Sequence, residues 1–317
     1  SLLALGIGSD DEVITTPMTF IATATAIISA GARPVFVDVE SDTGNLDVSQ
    51  VESAITKNTK AIIPVHLYGQ MCDMHALRSI ADHHGLHIIE DAAHCIEGTR
   101  DGIKPGQLGD TACFSFYATK NLTCGEGGAV ITNDPEVADR LRLLRSHGMT
   151  KTATDRERDG YSHWDMVLFG WKYNMDNIHA ALLLPQLEGI DERWNNRIAV
   201  ADRYTHALEE LEDVTLPSVV GNSKHAFHLY PIRVKKTLRD QLIKSFHRNG
   251  IGSTVNYRAI HLLSYFSEML GHSLGDFPQA EKIGDTTISL PFYPSIHDSH
   301  VDTVIETLKS EFGKFSG

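Results

Sequence analysis

Cysteine is scarce in this chain of 317 residues: there are four, Cys72, Cys95, Cys113 and Cys124, with no Cys-x-x-Cys spacing among them. That is too few for a disulfide scaffold, and free thiols in a reducing compartment are the expectation. Basic residues are outnumbered, 28 Lys and Arg against 41 Asp and Glu, for a formal net charge of −13. A sequence-independent grip on nucleic acid needs a broad basic footprint, and this balance argues against one. Any anionic ligand has to be held by local donors. No apolar run is long enough to span a bilayer; the best, Phe20 to Ala32, is broken by two threonines. A signal peptide is not expected either, because Asp10-Asp11-Glu12 arrive well before the first basic residue, Arg33. With 25 Gly and 11 Pro the chain is not of low complexity, and a hydrophobic fraction of 42% is enough for a sizeable core. These features predict a soluble, acidic, cytoplasmic globular protein, with neither nucleic acid nor a membrane as partner and no metal.

What is present alternates. Val13-Ile14-Thr15, Val35 to Val39, Ala61 to Val65 and His87 to Ile89 read as short β-branched strands. Helical stretches lie between them: Phe20 to Ala30, stopped by Gly31, then Asp47 to Ile55, and Asp73 to His83, stopped by Gly85. Repeated βαβ units predict a mostly parallel sheet with helices on both faces. A strand pair, Thr111 to Phe116 and Ala129 to Thr132, leads into a helix from Pro135 to Arg145. The polar stretch Met149 to His163, centred on Asp155-Arg156-Glu157-Arg158-Asp159, reads as a solvated, mobile loop, with a substrate lid as the alternative. Long helices over Ile178 to Leu187 and Trp194 to Leu211 lead to a smaller α+β unit. It holds a strand His228 to Val234, a helix Leu238 to Arg248 and a last helix His300 to Phe312. The predicted division is a large α/β domain over residues 1–195 and a small C-terminal domain over 196–317.

Ligands of parallel α/β sheets bind at the carboxyl ends of the strands, and three segments fall at such ends. Ile88-Ile89-Glu90-Asp91-Ala92-Ala93-His94 is an apolar strand running into acids, with Asp91 either facing the crevice or capping the next helix. Phe114 to Lys120 ends in polar residues and a lysine, and Gly125-Glu126-Gly127-Gly128 follows; glycines there permit close backbone approach to a ligand or simply make a turn. Gly170-Trp171-Lys172-Tyr173-Asn174-Met175 is a polar-aromatic patch before a helix, where Asn174 has a capping alternative. A strand-end aspartate beside a lysine on a neighbouring strand points to pyridoxal phosphate (PLP). A lysine amine forms a Schiff base with its aldehyde, and a carboxylate pairs with its pyridinium nitrogen.

With Ser115-Phe116-Tyr117-Ala118-Thr119-Lys120, Pro64-Val65-His66-Leu67-Tyr68-Gly69-Gln70 and Tyr257-Arg258-Ala259-Ile260-His261 added, the motifs resemble those of the DegT/DnrJ-type sugar aminotransferases over nearly the whole chain. The resemblance implies the aspartate-aminotransferase fold (PLP fold type I), with PLP as cofactor. Position by position it implies Lys120 as the cofactor-bearing lysine and proton shuttle, and Asp91 as partner of the pyridine nitrogen. It further implies Phe20 as the ring stacked on the cofactor, His94 near its phenolic oxygen and Ser115 as a phosphate ligand. Asn174 is implied to reach the phosphate of a neighbouring subunit's cofactor, so that a homodimer shares its active sites. Lys172, Tyr257, Arg258 and His261 are implied on the substrate side. In relatives a segment of several dozen residues precedes the equivalent of Leu2 and carries a turn that cradles the phosphate; this chain begins inside the equivalent of the helix that follows.

A branch of the family that dehydrates C3 replaces the lysine with histidine, so Lys120 favours transamination. Thr123 to Gly128 looks more like enzymes that aminate C4 of a 4-keto nucleotide sugar than those acting on C3. The finer resemblance, through Lys172-Tyr173-Asn174 and Tyr257-Arg258 with His261, is to the UDP-4-amino-4-deoxy-L-arabinose aminotransferase group. Glutamate, leaving as 2-oxoglutarate, is the implied donor. C3 amination and a non-catalytic regulatory or scaffold role are the alternatives, although intact Lys120 and Asp91 argue against the latter.

Overall fold

A computed structural model of the chain describes residues 1–151 and 163–315. The charged run 155–159, and with it most of the expected polar loop, lies outside them. Five strands run parallel: β1 (Glu12–Thr15), β2 (Arg33–Phe36), β3 (Thr59–Ile62), β4 (His87–Asp91) and, beyond a short β5 (Thr99–Arg100), β6 (Thr111–Ser115). β7 (Gly128–Ile131) closes the edge antiparallel to β6, giving the order β2-β1-β3-β4-β6-β7. The chain thus leaves β1 in one direction for β2 and returns to its other side for β3. That reversal opens a crevice where β1, β3 and β4 end.

Alternation along the strands sorts the core. Ile14, Ile62 and Ile88 point to one face and pack with Leu77 and Ala81 of the helix α3 (Met74–His84). Their neighbours Val13, Ala61, Ile63 and Ile89 point to the other face and meet Ile27 of α1 (Ile21–Ser29). β3 stops short of the expected Val65 because Pro64 has no N–H to offer a ladder. The helix expected over Asp47 to Ile55 is instead a four-residue turn, Val48–Val51, capped by Asp47 and followed by a 3-10 turn, Glu52–Ala54. α3 is capped by Asp73, which accepts from Ala76 N–H at 3.0 Å, and ends at Gly85 with φ +65°. The first residues, expected to be helical, make a single turn closed by Leu5 N–H on the Ser1 carbonyl.

Helices 135–144, 177–188 and 190–208 follow. A short β9 (Ser223–Lys224) pairs antiparallel with β5, and the second sheet has the order β11-β10-β8, all antiparallel: β8 (Val214–Thr215), β10 (Tyr230–Val234) and β11 (Thr287–Leu290). Its core joins Tyr204, Tyr230, Phe246, Ile288 and Leu308. The expected division at 195/196 falls inside the continuous helix Ile190–Leu208. That helix faces both ways. Tyr204 and Leu208 serve the second core, while Arg197, buried, pairs with the buried carboxylate of Glu97 beside the first sheet.

Breaking that pair strands a charge out of water, which costs far more than the pair itself contributes. Glu97→Ala should lower unfolding stability in urea by about 3–5 kcal/mol, and adding Arg197→Met should recover most of the loss. A loss below about 1 kcal/mol would show that water reaches Arg197.

Candidate active site

Period two sends Asp91 to the same face as Ile89, toward α1. There its Oδ2 accepts from Thr23 Oγ1 at 2.7 Å, and Thr23 is joined at 2.8 Å by Thr19 Oγ1. Asp91 Oδ1 accepts from Ala93 N–H at 3.2 Å. No helix follows, so the capping alternative for Asp91 fails. Each carboxylate oxygen keeps a lone pair for a cationic partner. Thr23 was not singled out in the sequence; its signal is that it lies four residues before Ile27 on the sheet-facing stripe of α1.

Lys120 stands in the turn after β6, its N–H bonded to the Tyr117 carbonyl at 2.9 Å. Partial burial pulls its ammonium below the usual lysine range, and the charge of Asp91 opposes that shift. Ser115 ends β6, and its Oγ accepts from Tyr117 N–H at 3.3 Å, which leaves the hydroxyl proton to donate. Phe20, at the mouth of the crevice, is 54% exposed, and its ring lies 5.9 Å from that of Tyr257. A large aromatic held that far out of the core offers a flat apolar face to a ligand. The glycines after Cys124 do something else. Gly125, at φ +87°, makes the turn, while a Cβ on Gly127 would meet Cys124 Sγ at 2.7 Å and Met175 Sδ at 3.0 Å, so the close approach there is to the chain's own packing.

His94 is buried between three groups. Its Nδ1 accepts from Tyr68 N–H at 3.2 Å, its Nε2 lies 3.2 Å from the Tyr257 hydroxyl, and the ring of His228 is 4.2 Å away. Burial above all holds both imidazoles well below their ordinary range, helped at His94 by His228 and Lys120 and at His228 by Lys120 and Arg197. His228 reads from the sequence as part of a strand. It precedes the strand instead, and its Nδ1 reaches Asn121 Oδ1 at 3.1 Å. Asn121, next to Lys120, donates to Glu97 at 2.9 Å and to the Ala226 carbonyl at 3.2 Å. The lysine turn is thereby tied to the Arg197–Glu97 pair, a link between residues too far apart in sequence to show any pattern.

The remaining sequence candidates divide. Arg258 is exposed beside Tyr257. His261 is not in the crevice: it is fully buried, bonded to Glu281 Oε1 at 3.0 Å and packed edge-on to Phe277. It is buried together with its apolar neighbours Ala259 and Ile260, which corrects the substrate-side place expected of it. Lys172 and Asn174 bond each other at 2.5 Å on an exposed segment, and none of their contacts among the described residues is with Asp91, His94 or Lys120. Asn174 does not cap the next helix. Asp176 does, accepting from Ile178 and His179 N–H at 2.9 and 3.0 Å.

The donor set fits PLP: a carboxylate with open lone pairs at a strand end, an amine eased toward its neutral form and an aromatic face, all around one crevice. That equipment, on a mostly parallel sheet with a smaller α+β unit, defines a PLP-dependent aminotransferase of fold type I. The chain belongs to the DegT/DnrJ/EryC1/StrS aminotransferase family, whose pattern it matches over residues 1–309. Over 315 residues it is 41% identical to the spore coat polysaccharide biosynthesis protein SpsC of Bacillus subtilis, covering 98% of this chain and 81% of that one. DesV of S. venezuelae, solved in complex with a ketimine intermediate, superposes with a TM-score of 0.89 at 38% identity, over 98% of this chain and 80% of that one. The PMP form of Spr1654 of Streptococcus pneumoniae, named as a sugar aminotransferase, gives 0.91 at 31% identity, over 98% and 83%.

Neutral buried histidines make the fold sensitive to acid. His225, whose Nδ1 accepts from Phe227 N–H at 2.9 Å, is lowered by burial from 6.5 to about 3. Below pH ~6.5 the unfolded chain binds this proton and the folded one does not, so stability falls as pH falls. From pH ~7 to pH ~5 this one group should remove about 2 kcal/mol. The stability gap between the parent and His225→Gln, measured in urea, should narrow by that amount; a gap unchanged with pH would place water at the ring.

Proposed function

We propose that this chain transfers an amino group from glutamate to the keto carbon of a 4-keto nucleotide sugar, as one half of a homodimer with shared active sites. The observation that carries the reading is a strand-end Asp91 with open lone pairs, near enough to the partly buried Lys120 for its charge to act on the amine. When bound, PLP supplies an electron sink that spreads the negative charge formed at the substrate carbon. The chain's residues do the rest. Asp91, oriented by Thr23, presents a carboxylate to a cationic ring nitrogen. Lys120 Nζ anchors the cofactor and then takes and returns the proton at the substrate carbon, work that needs the neutral amine its burial favours. Phe20 gives the ring an apolar face, and Ser115 has a hydroxyl proton to donate to the phosphate. Lys172 and Tyr257 take the substrate side with Arg258, the exposed cation best suited to a diphosphate in so acidic a chain. The names of SpsC and Spr1654 support a sugar as the acceptor. The 4-keto position and the UDP-linked class rest on the resemblance of Thr123 to Gly128 and of Lys172-Tyr173-Asn174.

Three measurements test this reading. Borohydride reduction followed by peptide mass spectrometry should place a pyridoxyl group on Lys120; an adduct elsewhere, with Lys120 unmodified, sinks the assignment. Glutamate should convert the visible spectrum of the PLP-loaded protein to that of the aminated cofactor, and a UDP-linked 4-keto sugar should restore it. Restoration by a 3-keto sugar alone would move the reaction to C3. In Arg258→Ala the sugar half-reaction should weaken by about tenfold, the worth of one charged hydrogen bond, with the glutamate half-reaction almost unchanged.

The dimer has its own support. Helix Asn177–Glu188 buries Leu183 but leaves Ile178 78%, Leu182 52%, Leu184 62% and Leu187 47% exposed, beside exposed Phe169 and Tyr173. An apolar surface of this extent calls for a partner, and Lys172 and Asn174 lie at its margin. A second copy seated there brings Asn174 to the other subunit's cofactor phosphate. Lys120→Ala and Asn174→Ala subunits, each nearly inactive alone, should then complement: about half the dimers are mixed after random remixing, and about a quarter of all sites are intact. Mixed dimers without recovered activity would confine Asn174 to its own subunit.

A further inference from the structure

A backbone N–H has no choice of role; it only donates. Tyr68 N–H therefore fixes the lone pair of His94 on Nδ1, and a neutral imidazole then carries its proton on Nε2. That Nε2–H points at the Tyr257 oxygen, which accepts it. The phenol's own proton is left over. It has the crevice before it, because Tyr257 is only partly buried, its ring faces exposed Phe20, and Asp91 is near enough to influence it. Burial and that carboxylate push the phenol up to about 12, against a smaller lowering by a hydrogen bond from the Asn256 side chain. That lowering is the effect of an amide N–H donating to the phenol oxygen, and Asn256 Oδ1 already accepts from Thr254 Oγ1 at 3.1 Å, so the phenol keeps its own proton.

We propose that Tyr257 is a committed hydrogen-bond donor into the crevice, its direction imposed from behind by His94 and by the His228 ring packed at a tilt against it. The ligand atom it serves is an acceptor oxygen, on the cofactor ring or on the keto sugar; this deepens the proposed function and rests on it for the identity of the ligand.

His228 makes the arrangement one-way. Asn121 turns both its N–H bonds to fixed acceptors, Glu97 and the Ala226 carbonyl, so its Oδ1 faces His228, and His228 Nδ1 is the donor. Protonating His94 would place a cation 4.2 Å from a second imidazole and against the Tyr68 N–H. The two rings cannot drift apart. Segment 226–228 is strapped to the Tyr68 turn by Ala226 N–H on the Gly69 carbonyl and His228 N–H on the Tyr68 carbonyl, both at 2.8 Å. Gly69, at φ +109°, allows that approach, since a Cβ there would meet Phe227 N at 2.8 Å.

The direct test needs no cofactor. In apoprotein carrying nitrogen-15 histidine, with the His94 signals identified by their loss in His94→Gln, Nε2 should show the protonated-type shift and Nδ1 the unprotonated type. They should hold that pattern down to about pH 5, where an unperturbed histidine is charged. The opposite tautomer, or an imidazolium, overturns the proposal whatever ligand the crevice takes. The second test uses PLP itself. His94→Gln can still accept from Tyr68 and donate to Tyr257; His94→Glu, ionised, can only accept and would draw the phenol proton inward. If the acceptor is on the cofactor, Tyr257→Phe and His94→Glu should move the pH midpoint of the PLP visible band in the same direction, with His94→Gln moved less. If it is on the sugar, Tyr257→Phe should leave that midpoint in place and raise KM for the keto sugar by about tenfold, one hydrogen bond's worth. Tyr257→Phe without effect on either would remove Tyr257 from the ligand. Failure of the parent to bind PLP would overturn the cofactor reading instead, and the tautomer result would stand apart from it.

Discussion

Two carboxylates stand side by side at the end of β4, and the pleat of the strand sends them to opposite faces of the sheet. Glu90 goes to one side, fully buried. There its Oε2 accepts from His66 Nε2 at 2.8 Å and its Oε1 from Gly106 and Gly109 N–H, both at 2.9 Å. His66 has to be the donor because its Nδ1 already accepts from Cys72 N–H. With three donors on its oxygens and no exposed surface, Glu90 anchors the 104–109 loop over the sheet and is closed to a ligand. Asp91 goes to the other side, where a hydroxyl and one amide satisfy only part of its capacity. A shift of one residue in the register of β4 would exchange these fates. The position of the crevice therefore depends on the alternation of Ile88 and Ile89 into their two cores, which fixes that register.

Around the lysine turn, buried ionisable groups are either paired or kept neutral. Arg197 and Glu97 are paired in contact, both side chains buried. His94, His225 and His228, equally buried, are kept neutral by desolvation. Asn121 is the junction between the two regimes. Its amide passes the fixed polarity of Glu97 on to His228, so the Lys120 turn is referenced to a rigid ion pair without a charge being brought beside the lysine. A cationic histidine at 94 or 228 would depress the lysine further and attract anions to the wrong atoms.

Much of this was legible in the sequence, for identifiable reasons. The βαβ rhythm, the strand-end Asp91 and the turn lysine each follow from local pattern, and the motifs around them carry the family resemblance. Thr23 was within reach of the same reasoning, since helical spacing from Ile27 turns it to the sheet. His228, Asn121 and Glu97 were not. Their association depends on how the second unit folds back on the first, and no period in the sequence reports a contact between positions 94 and 228. His261 misled for a related reason. It sits in the same motif as Tyr257 and Arg258, but a 3-10 turn, Ile260–Leu262, buries it with Ile260 and places it on Glu281, while Arg258 stays at the surface.

The buried His261 still matters to the crevice, through geometry. Glu281 gathers three donors, His261 Nε2 and the N–H groups of Gly275 and Phe277, at the start of the helix Pro278–Thr286. The same helix start is held to the first sheet by Asp38, which accepts from Gln279 and Ala280 N–H, both at 2.9 Å. Ile260 N–H closes the circuit on the Pro17 carbonyl at 2.8 Å, three residues before Phe20. The loop bearing Tyr257 and Arg258 is thus fixed to both units by groups that never face a ligand. Phe20 and Tyr257, from opposite ends of the chain, meet across the crevice because these buried acceptors hold their two segments together.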